Sequence, residues 1–97
     1  MNKTILITGA AKRIGKEIAL TFSDLGWNII IHYNSSKDDA EKLANQINSN
    51  NPNTAKIVQA NLDVDSEVTK LIDEAKGLFE TIDILVNNAS TFYPTSI

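Results

Sequence analysis

Residues 8–15 read Thr8-Gly9-Ala10-Ala11-Lys12-Arg13-Ile14-Gly15, and this stretch decides the fold. It follows the apolar run Ile5-Leu6-Ile7 and precedes a segment in which apolar residues recur at helical spacing. A strand that turns through glycine directly into a helix is where α/β proteins receive a dinucleotide pyrophosphate. Gly9 suits the tight turn, and Gly15 would let the helix pack closely on the sheet. We therefore predict a nucleotide-binding turn here, called the glycine turn below, over an ordinary βα turn that uses glycine for geometry alone.

Further along the chain, short apolar runs alternate with segments of helical period. Runs like the first recur at Ile29-Ile30-Ile31, Ile57-Val58 and Ile84-Leu85-Val86. Apolar runs without polar alternation indicate strands covered on both faces, as in a parallel sheet. In the first helical segment the spacing predicts an apolar face made of Ile14, Ile18, Phe22 and Leu25. The order β-α-β-α-β-α-β predicts the α/β class, with a doubly wound parallel sheet of Rossmann type.

The composition excludes several classes of protein. The 97 residues contain no cysteine, which excludes a disulfide framework, a thiolate zinc site and a cysteine nucleophile. A net charge of −3 argues against a nucleic-acid partner. No apolar run approaches the ~20 residues that span a bilayer. His32 is the only histidine, so no metal site is predicted. The sequence thus indicates a cytoplasmic domain without nucleic-acid or membrane partners.

The end of the second strand bears on the choice of cofactor. It reads His32-Tyr33-Asn34-Ser35-Ser36-Lys37, and no carboxylate occurs before Asp38. Sites for NAD place Asp or Glu here to accept from the ribose 2′-hydroxyl, and such a carboxylate would repel the 2′-phosphate of NADP. Hydroxyls, an amide and a helix start would receive that phosphate, so NADP(H) is the predicted cofactor. Arg13 opposes the helix dipole but would meet a cofactor phosphate or an anionic part of a substrate.

Over its whole length the sequence resembles the short-chain dehydrogenase/reductase family. The glycine turn follows that family's Thr-Gly-x-x-x-Gly-x-Gly pattern, with Arg13 in place of the middle glycine. The fourth apolar run leads into a segment similar to the family's Asn-Asn-Ala-Gly motif, with Ser90 in place of its glycine. Both substitutions look like the pteridine reductase branch, as do the His32-Tyr33 pair and the stretch Asn88-Ala89-Ser90-Thr91-Phe92-Tyr93-Pro94. The resemblance implies a sheet of strand order 3-2-1-4.

The resemblance also implies roles for individual residues. Around the pyrophosphate and its ribose it places Gly9, Arg13, Ile14 and Gly15. Around the adenosine 2′-phosphate it places His32, Tyr33, Asn34, Ser35 and Ser36. Asn61 and Leu62 correspond to an Asp-Leu pair beside the adenine, while Asn88, Ala89 and Ser90 would line the cofactor. Arg13, Ser90 and Phe92 would contact substrate, with Phe92 stacked on a pterin ring.

No catalytic residue is predicted in this sequence. The family uses a Tyr-x-x-x-Lys pair as proton donor and tuning cation, and only Tyr33 and Lys37 have that spacing. These two residues fall at the adenosine end of the predicted site. We therefore expect residues 1–97 to be the N-terminal, dinucleotide-binding part of one Rossmann-type domain whose C-terminal half is absent. The complete protein would transfer hydride from NADPH to a dihydropterin, whereas the 97 residues alone would be inactive.

Two other interpretations stay open at this point. The chain could be a non-catalytic nucleotide-binding or assembly module, or part of a short-chain reductase that acts on another carbonyl substrate. A fourth strand at the edge of the sheet would expose an apolar run. That exposure predicts a homo-oligomer or association with the missing half of the domain.

Overall fold

The computed structural model describes residues 2–88, which contain one sheet of four parallel strands. The strands are β1 (Thr4–Ile7), β2 (Asn28–Tyr33), β3 (Ala55–Gln59) and β4 (Ile84–Val86). Their order across the sheet is β3-β2-β1-β4, with Leu6 opposite Ile30 on one side and opposite Leu85 on the other. The predicted class and strand order are confirmed.

Three helices cover the two faces of the sheet. They are α1 (Arg13–Asp24), α2 (Lys37–Asn50) and α3 (Asp65–Leu78). Successive side chains of a strand point to opposite faces, so Ile5 and Ile7 pack with α1 and α2 while Leu6 packs with α3. The two central strands, β1 and β2, are buried on both faces for this reason, which explains their continuous apolar runs.

The face of α1 that packs on the sheet is not the predicted one. The buried residues of this helix are Gly15, Ala19 and Ser23. Ile14 and Leu25 are 69% and 68% exposed, while the other two residues of the predicted face are partly buried at the margin of the core. The helix has the predicted period, but small side chains allow it to approach the sheet more closely than isoleucine or phenylalanine would. The small residues therefore take the inner face.

Strand β4 forms one edge of the sheet within residues 2–88. It pairs with β1, and its Ile84 and Leu85 are exposed. The predicted exposed apolar edge is therefore present in the described part of the chain. Ile14 of α1 and Leu25, which directly follows α1, are further exposed apolar residues.

Side chains tie down the amino ends of the strands. The Asp83 carboxylate accepts the Thr4 amide at 2.8 Å, which joins the start of β1 to the start of β4. Asn48 binds the start of β3, where its Oδ1 accepts the Thr54 and Ala55 amides at 3.0 and 2.9 Å. The Asn48 Nδ2 also donates to the Ala55 carbonyl at 3.1 Å. This edge of the sheet is closed by bonds within the chain.

Candidate functional site

A cavity of about 510 Å³ opens at the carboxyl ends of the strands. The loops after all four strands contribute to it. Its lining consists of Gly9, Lys12, Arg13, Ile14, His32, Asn34, Asn61, Leu62, Asp63 and Asn88. Parallel α/β sheets bind their ligands at this edge, in the crevice where neighbouring crossovers run to opposite faces. Here α1 and α3 cover opposite faces, so the cavity lies at such a crevice.

The two glycines of the glycine turn are required for different structural reasons. Gly9 has a φ of 62°, in the left-handed region that glycine adopts without a steric penalty. Gly15 lies against the turn itself. A Cβ added there would stand 2.5 Å from the Gly9 carbonyl oxygen and 2.6 Å from the Asn88 Nδ2. The helix, the turn and the end of β4 therefore meet at a point that only glycine fits.

Hydrogen bonds join the glycine turn to the end of β4. The Thr8 amide donates to the Val86 carbonyl at 3.0 Å, and the Asn88 amide donates to the Thr8 Oγ1 at 2.9 Å. The Asn88 Nδ2 donates to the Gly9 carbonyl at 3.3 Å. The sequence predicted that Asn88 lines the cofactor. The structure places it at the cavity wall with its amide group supporting the turn.

Arg13 adopts an unusual backbone conformation at the start of α1. Its φ is 54°, a left-handed value that costs a non-glycine residue roughly 1–2 kcal/mol. This explains why the related pattern carries glycine at the position. The side chain is exposed and lines the cavity. Strain held next to a cavity is typical of functional sites, and here the strained residue is an arginine at the cavity lining.

His32 lies beneath the glycine turn with 2% of its surface exposed. Its Nδ1 accepts the Gly9 amide at 3.0 Å, and its Nε2 lies 2.8 Å from the Ala60 carbonyl oxygen. Burial lowers the pKa of the ring below its usual 6.5, and the bond to Ala60 opposes that shift. Both ring nitrogens have protein partners. The predicted direct contact with a 2′-phosphate therefore does not follow from the position of this ring.

The other residues at the end of β2 and just after it lie partly in the core and partly at the surface. Tyr33 is buried in the same apolar cluster as Ala10 and Leu43. Asn34 lines the cavity, and its carbonyl accepts from the Gln59 Nε2 at 3.1 Å. A second depression lies beside the cavity, lined by Lys12, Ser35, Ser36, Lys37, Asp38 and Asp39. The structure thus brings the predicted serines to the depression at the start of α2 and buries Tyr33 in the core.

Sequence analysis missed Lys12. Its Nζ lies 3.4 Å from the Asp39 Oδ2, and the residue lines both the cavity and the second depression. It is therefore a cation that joins the glycine turn to the start of α2. Its position beside Arg13 in the turn was a usable signal, because a residue of the βα loop points toward the neighbouring strand end.

The loop after β3 forms the opposite wall of the cavity. Asn61 and Leu62 both line it. The Asn61 amide donates to the Glu67 carboxylate at 2.8 Å, and the Asn61 Oδ1 accepts the Asp63 amide at 3.0 Å. The first bond holds the loop on the first turn of α3, and the second fixes the shape of the loop itself. A role for Asn61 beside an adenine stays a prediction.

Of the remaining predicted residues, one lines the cavity and three lie outside the described residues. Ile14, which was predicted to bind the cofactor, lines the cavity with its side chain largely exposed. Ala89, Ser90 and Phe92 lie outside the described residues. Within residues 2–88 no group of three or more histidine or acidic side chains could hold a metal ion. No helix in that range is long and apolar enough to cross a bilayer.

The arrangement can bind an elongated anionic ligand. The N-terminus of α1 carries Lys12 and Arg13 and no acidic residue in its first turn, so the positive end of the helix dipole and two cations act in the same direction. The cavity continues past Asn34 on one side and past Asn61 and Leu62 on the other. A long ligand would fit the site with its phosphates at the glycine turn.

Comparison with known proteins identifies the family. Residues 3–96 match the short chain dehydrogenase family. The chain is 40% identical over 89 residues to the 3-oxoacyl-[acyl-carrier-protein] reductase FabG of Staphylococcus epidermidis, covering 92% of the chain and 36% of that protein. It is 38% identical over 109 residues to pteridine reductase 1 of Leishmania tarentolae, covering 95% and 38%.

A short-chain type dehydrogenase/reductase of Picea abies is 36% identical over 101 residues, covering 96% of the chain and 37% of that protein. The chain thus spans just over a third of the length of these relatives. The relatives named for acyl reduction and for pteridine reduction match it almost equally well, so identity alone does not separate the two substrates. The family match covers nearly the whole chain and agrees with the sheet order and the glycine turn, and the chain therefore belongs to the short-chain dehydrogenase/reductase family.

Proposed function

We propose that residues 1–97 bind NADP(H) at the carboxyl edge of the sheet, as the cofactor-binding part of a pteridine reductase. The observation that carries the proposal is the glycine turn. A Cβ at Gly15 would collide with the Gly9 carbonyl, and two cations border the cavity beside it. Such close packing gives a flat turn at a helix N-terminus, which is the form that a pyrophosphate requires.

The residues present fit the cofactor along its length. Gly9, Arg13, Ile14 and Gly15 form the turn that would hold the pyrophosphate and its ribose. Asn34, Ser35, Ser36 and Lys12 would surround the 2′-phosphate. Asn61 and Leu62 would flank the adenine, and Asn88, Ala89 and Ser90 would line the nicotinamide half. When bound, the cofactor supplies a hydride. The chain's own residues bind it, orient it and keep the anion beside cations.

The preference for NADP over NAD depends on the balance of charge at the start of α2. Lys12 offers an ammonium group there, and its partner Asp39 offers a carboxylate that would repel a phosphate. Asp39 is partly compensated by Lys12, and Ser35 and Ser36 add hydroxyl donors at the same depression. A 2′-phosphate would compete with Asp39 for Lys12. We expect the phosphate to win because it is doubly charged near neutral pH.

A titration of the 97-residue chain with NADPH and NADH tests this balance. Lys12→Ala is expected to weaken NADPH binding about fivefold, a modest loss because the side chain is exposed. NADH binding should change less than twofold. Asp39→Asn is expected to strengthen NADPH binding, and Lys42→Ala on the exposed side of α2 serves as the control. An equal loss of NADH and NADPH affinity in Lys12→Ala would contradict the assignment of Lys12 to the 2′-phosphate.

The pterin substrate is supported by the combination of Arg13 and Phe92. Arg13 stands where the family pattern has glycine and holds a left-handed backbone there. That cost is easier to explain if the guanidinium contacts a ligand. Phe92 would stack on a flat heterocycle, although a plain aromatic loop anchor is the simpler interpretation of that residue alone. A 3-oxoacyl thioester is the competing substrate, supported by the identity to the Staphylococcus epidermidis reductase.

Competition between the two substrate classes separates them. With NADPH present, a dihydropterin should bind the parent chain more tightly than acetoacetyl-coenzyme A, and Phe92→Ala should remove that preference. Unchanged pterin affinity in Phe92→Ala would mean that the stacking role is wrong. We expect no pterin-dependent oxidation of NADPH by the 97 residues alone, because they carry no Tyr-x-x-x-Lys pair at the nicotinamide end.

An assembly role is the second candidate, favoured by the exposed apolar residues on α1 and β4. Leu85 is 55% exposed and Ile14 is 69% exposed. Unpaired strand edges with apolar side chains associate readily. This surface would meet either a second copy or the remainder of a longer domain. Light scattering of the chain at high concentration tests it, because a clean monomer would count against association through this edge.

A further inference from the structure

His32, near the end of β2, connects the loops that follow the two neighbouring strands β1 and β3. Its Nδ1 accepts the Gly9 amide at 3.0 Å, its backbone carbonyl accepts the Ala10 amide at 3.1 Å, and its Nε2 lies 2.8 Å from the Ala60 carbonyl oxygen. Gly9 and Ala10 follow β1, whereas Ala60 follows β3. A residue at the end of the middle strand thus binds the first two amides after Thr8 and the loop opposite them.

Only one protonation state of the ring satisfies both side-chain contacts. The Ala60 carbonyl can only accept, so Nε2 must carry the hydrogen. The Gly9 amide can only donate, so Nδ1 must carry a lone pair. The neutral ring protonated at Nε2 meets both requirements. A second proton at Nδ1 would point toward the Gly9 N–H and break that bond.

We propose that neutral His32 is a positioning residue of the glycine turn, whose ring fixes the Gly9 amide against the end of β3. The first two amides of the turn are then committed to support within the protein. The amides that bind an anion begin after Ala10. The effect of His32 on ligand affinity rests on the proposed nucleotide function, whereas the effect on the turn itself does not.

The charged groups around His32 are few. From the glycine turn, Lys12 and Arg13 line the cavity above the ring, and from the loop after β3, Asp63 lines it as well. From α3, Glu67 binds the amide next to Ala60. The strand partner of His32 on β3 is the apolar Val58, and β1 contributes no charged side chain. Burial therefore dominates, and the pKa of the ring is lowered.

The free 97-residue chain tests the role of His32 without any ligand. Because the chain has one histidine, nitrogen-15 NMR of the ring identifies its tautomer directly. We expect hydrogen at Nε2 at neutral pH, and a Gly9 amide resonance that shifts with the ring at one midpoint below pH 6.5. Hydrogen at Nδ1, or a Gly9 amide resonance that does not shift as the ring titrates, would overturn the proposal.

The stability of the chain should follow the same titration. The folded state resists protonation of His32, so between the lowered pKa and pH 6.5 the unfolded chain binds more protons. The midpoint of chemical unfolding should therefore be constant above pH 6.5 and fall below it. His32→Gln should flatten this segment of the profile, since its side-chain amide can accept and donate without titrating.

Binding of ADP-ribose at pH 7.5 connects the positioning role to the ligand. This probe carries the pyrophosphate but lacks the 2′-phosphate, whose own second pKa of about 6 would confuse a pH series. We expect His32→Phe to weaken binding about tenfold and His32→Gln to restore it to within about threefold of the parent. Val58→Ala is the matched control, because it removes buried atoms opposite His32 without touching Gly9.

The outcomes separate the two proposals. Parental ADP-ribose affinity in His32→Phe, or an equal loss in Val58→Ala, would overturn the positioning role. If the parent chain binds neither ADP-ribose nor NADPH, the proposed function fails, and the ring and Gly9 titration of the free chain still decides the role of His32. If His32→Phe does not fold, the same decision rests on that titration and on His32→Gln.

Discussion

The two edges of the sheet use their hydrogen-bonding groups differently. At the amino edge, Asn48 and Asp83 bind backbone groups of the neighbouring strands at distances of 2.8–3.1 Å. At the carboxyl edge, a cavity of about 510 Å³ is bordered by two cations, and Arg13 holds a left-handed backbone. The hydrogen bonds at the amino edge hold the starts of neighbouring strands together and so stabilise the fold. The other edge carries backbone strain and two cations beside open space, of which Lys12 is paired with Asp39. Cations beside open space are what a binding site for an anion requires.

The largest expected effect comes from adding a single methyl group to the glycine turn at the carboxyl edge. Gly15→Ala should destabilise the chain by about 3 kcal/mol, because the new Cβ would overlap the Gly9 carbonyl and Ala10, which are backbone atoms that cannot move aside. NADPH binding should be lost even at temperatures where the variant is folded. Denaturant unfolding followed by the fluorescence of Trp27, the only tryptophan, measures the first effect.

Gly77→Ala is the matched control for that change. It also lies in a helix, but a Cβ there meets nothing within 4 Å. We expect this variant to be stabilised by up to about 1 kcal/mol, the usual difference between alanine and glycine in a helix. Equal stability of the two variants would contradict the close packing of the glycine turn.

The next effect tests whether the amino edge serves stability alone. Asn48→Ala removes three hydrogen bonds to Thr54 and Ala55 at the start of β3, and should lower the free energy of unfolding by about 2 kcal/mol. The affinity for NADPH should stay within twofold of the parent, because Asn48 lies at the edge opposite the cavity. Asn45→Ala, at an exposed position of the same helix, is the control. A large loss of NADPH affinity in a folded Asn48→Ala would contradict the view that the amino edge serves stability alone.

The smallest effect has opposite signs for stability and binding. Arg13→Gly relieves the left-handed backbone but adds disorder to the unfolded chain, so a net gain of about 0.5 kcal/mol is expected. NADPH affinity should fall about threefold as the guanidinium is lost. Asn53→Gly relieves a similar φ of 63° in the turn after α2, far from the cavity, and should leave affinity unchanged. A loss of stability in Arg13→Gly would mean that Arg13 makes a contact that holds the fold.

Much of the fold could be predicted because its signals are local. The strands are apolar runs and the helices have a helical period, so β1 to β4 and their order followed from the pattern and the family resemblance. The inner face of α1 did not follow. Ile14 and Gly15 are adjacent in sequence, and which of them turns inward depends on how close the helix comes to the sheet. The Gly9 carbonyl and Asn88 set that distance, and Asn88 lies over 70 residues away in the sequence.

The site was predicted in part for the same reason. Gly9, Asn34, Asn61 and Asn88 all line the cavity, since the topology brings every strand end to one edge. Lys12 was missed because its importance comes from Asp39, which only the packing of α1 beside α2 brings within 3.4 Å. His32 was assigned to the ligand through the family resemblance alone. Its burial between two loops cannot be read from its neighbours in the sequence.

The sequence by itself therefore determined the class of fold and the position of the glycine turn, because both depend on the type and spacing of residues close together in the chain. Its motifs also indicated the family, and the resemblance to that family implied the strand order. The tertiary structure alone decided which face of α1 is buried, that Arg13 is left-handed, and that His32 supports the turn. These depend on distances between segments separated in the chain, and such distances are set by close packing and by the need of buried amides and carbonyls to find partners.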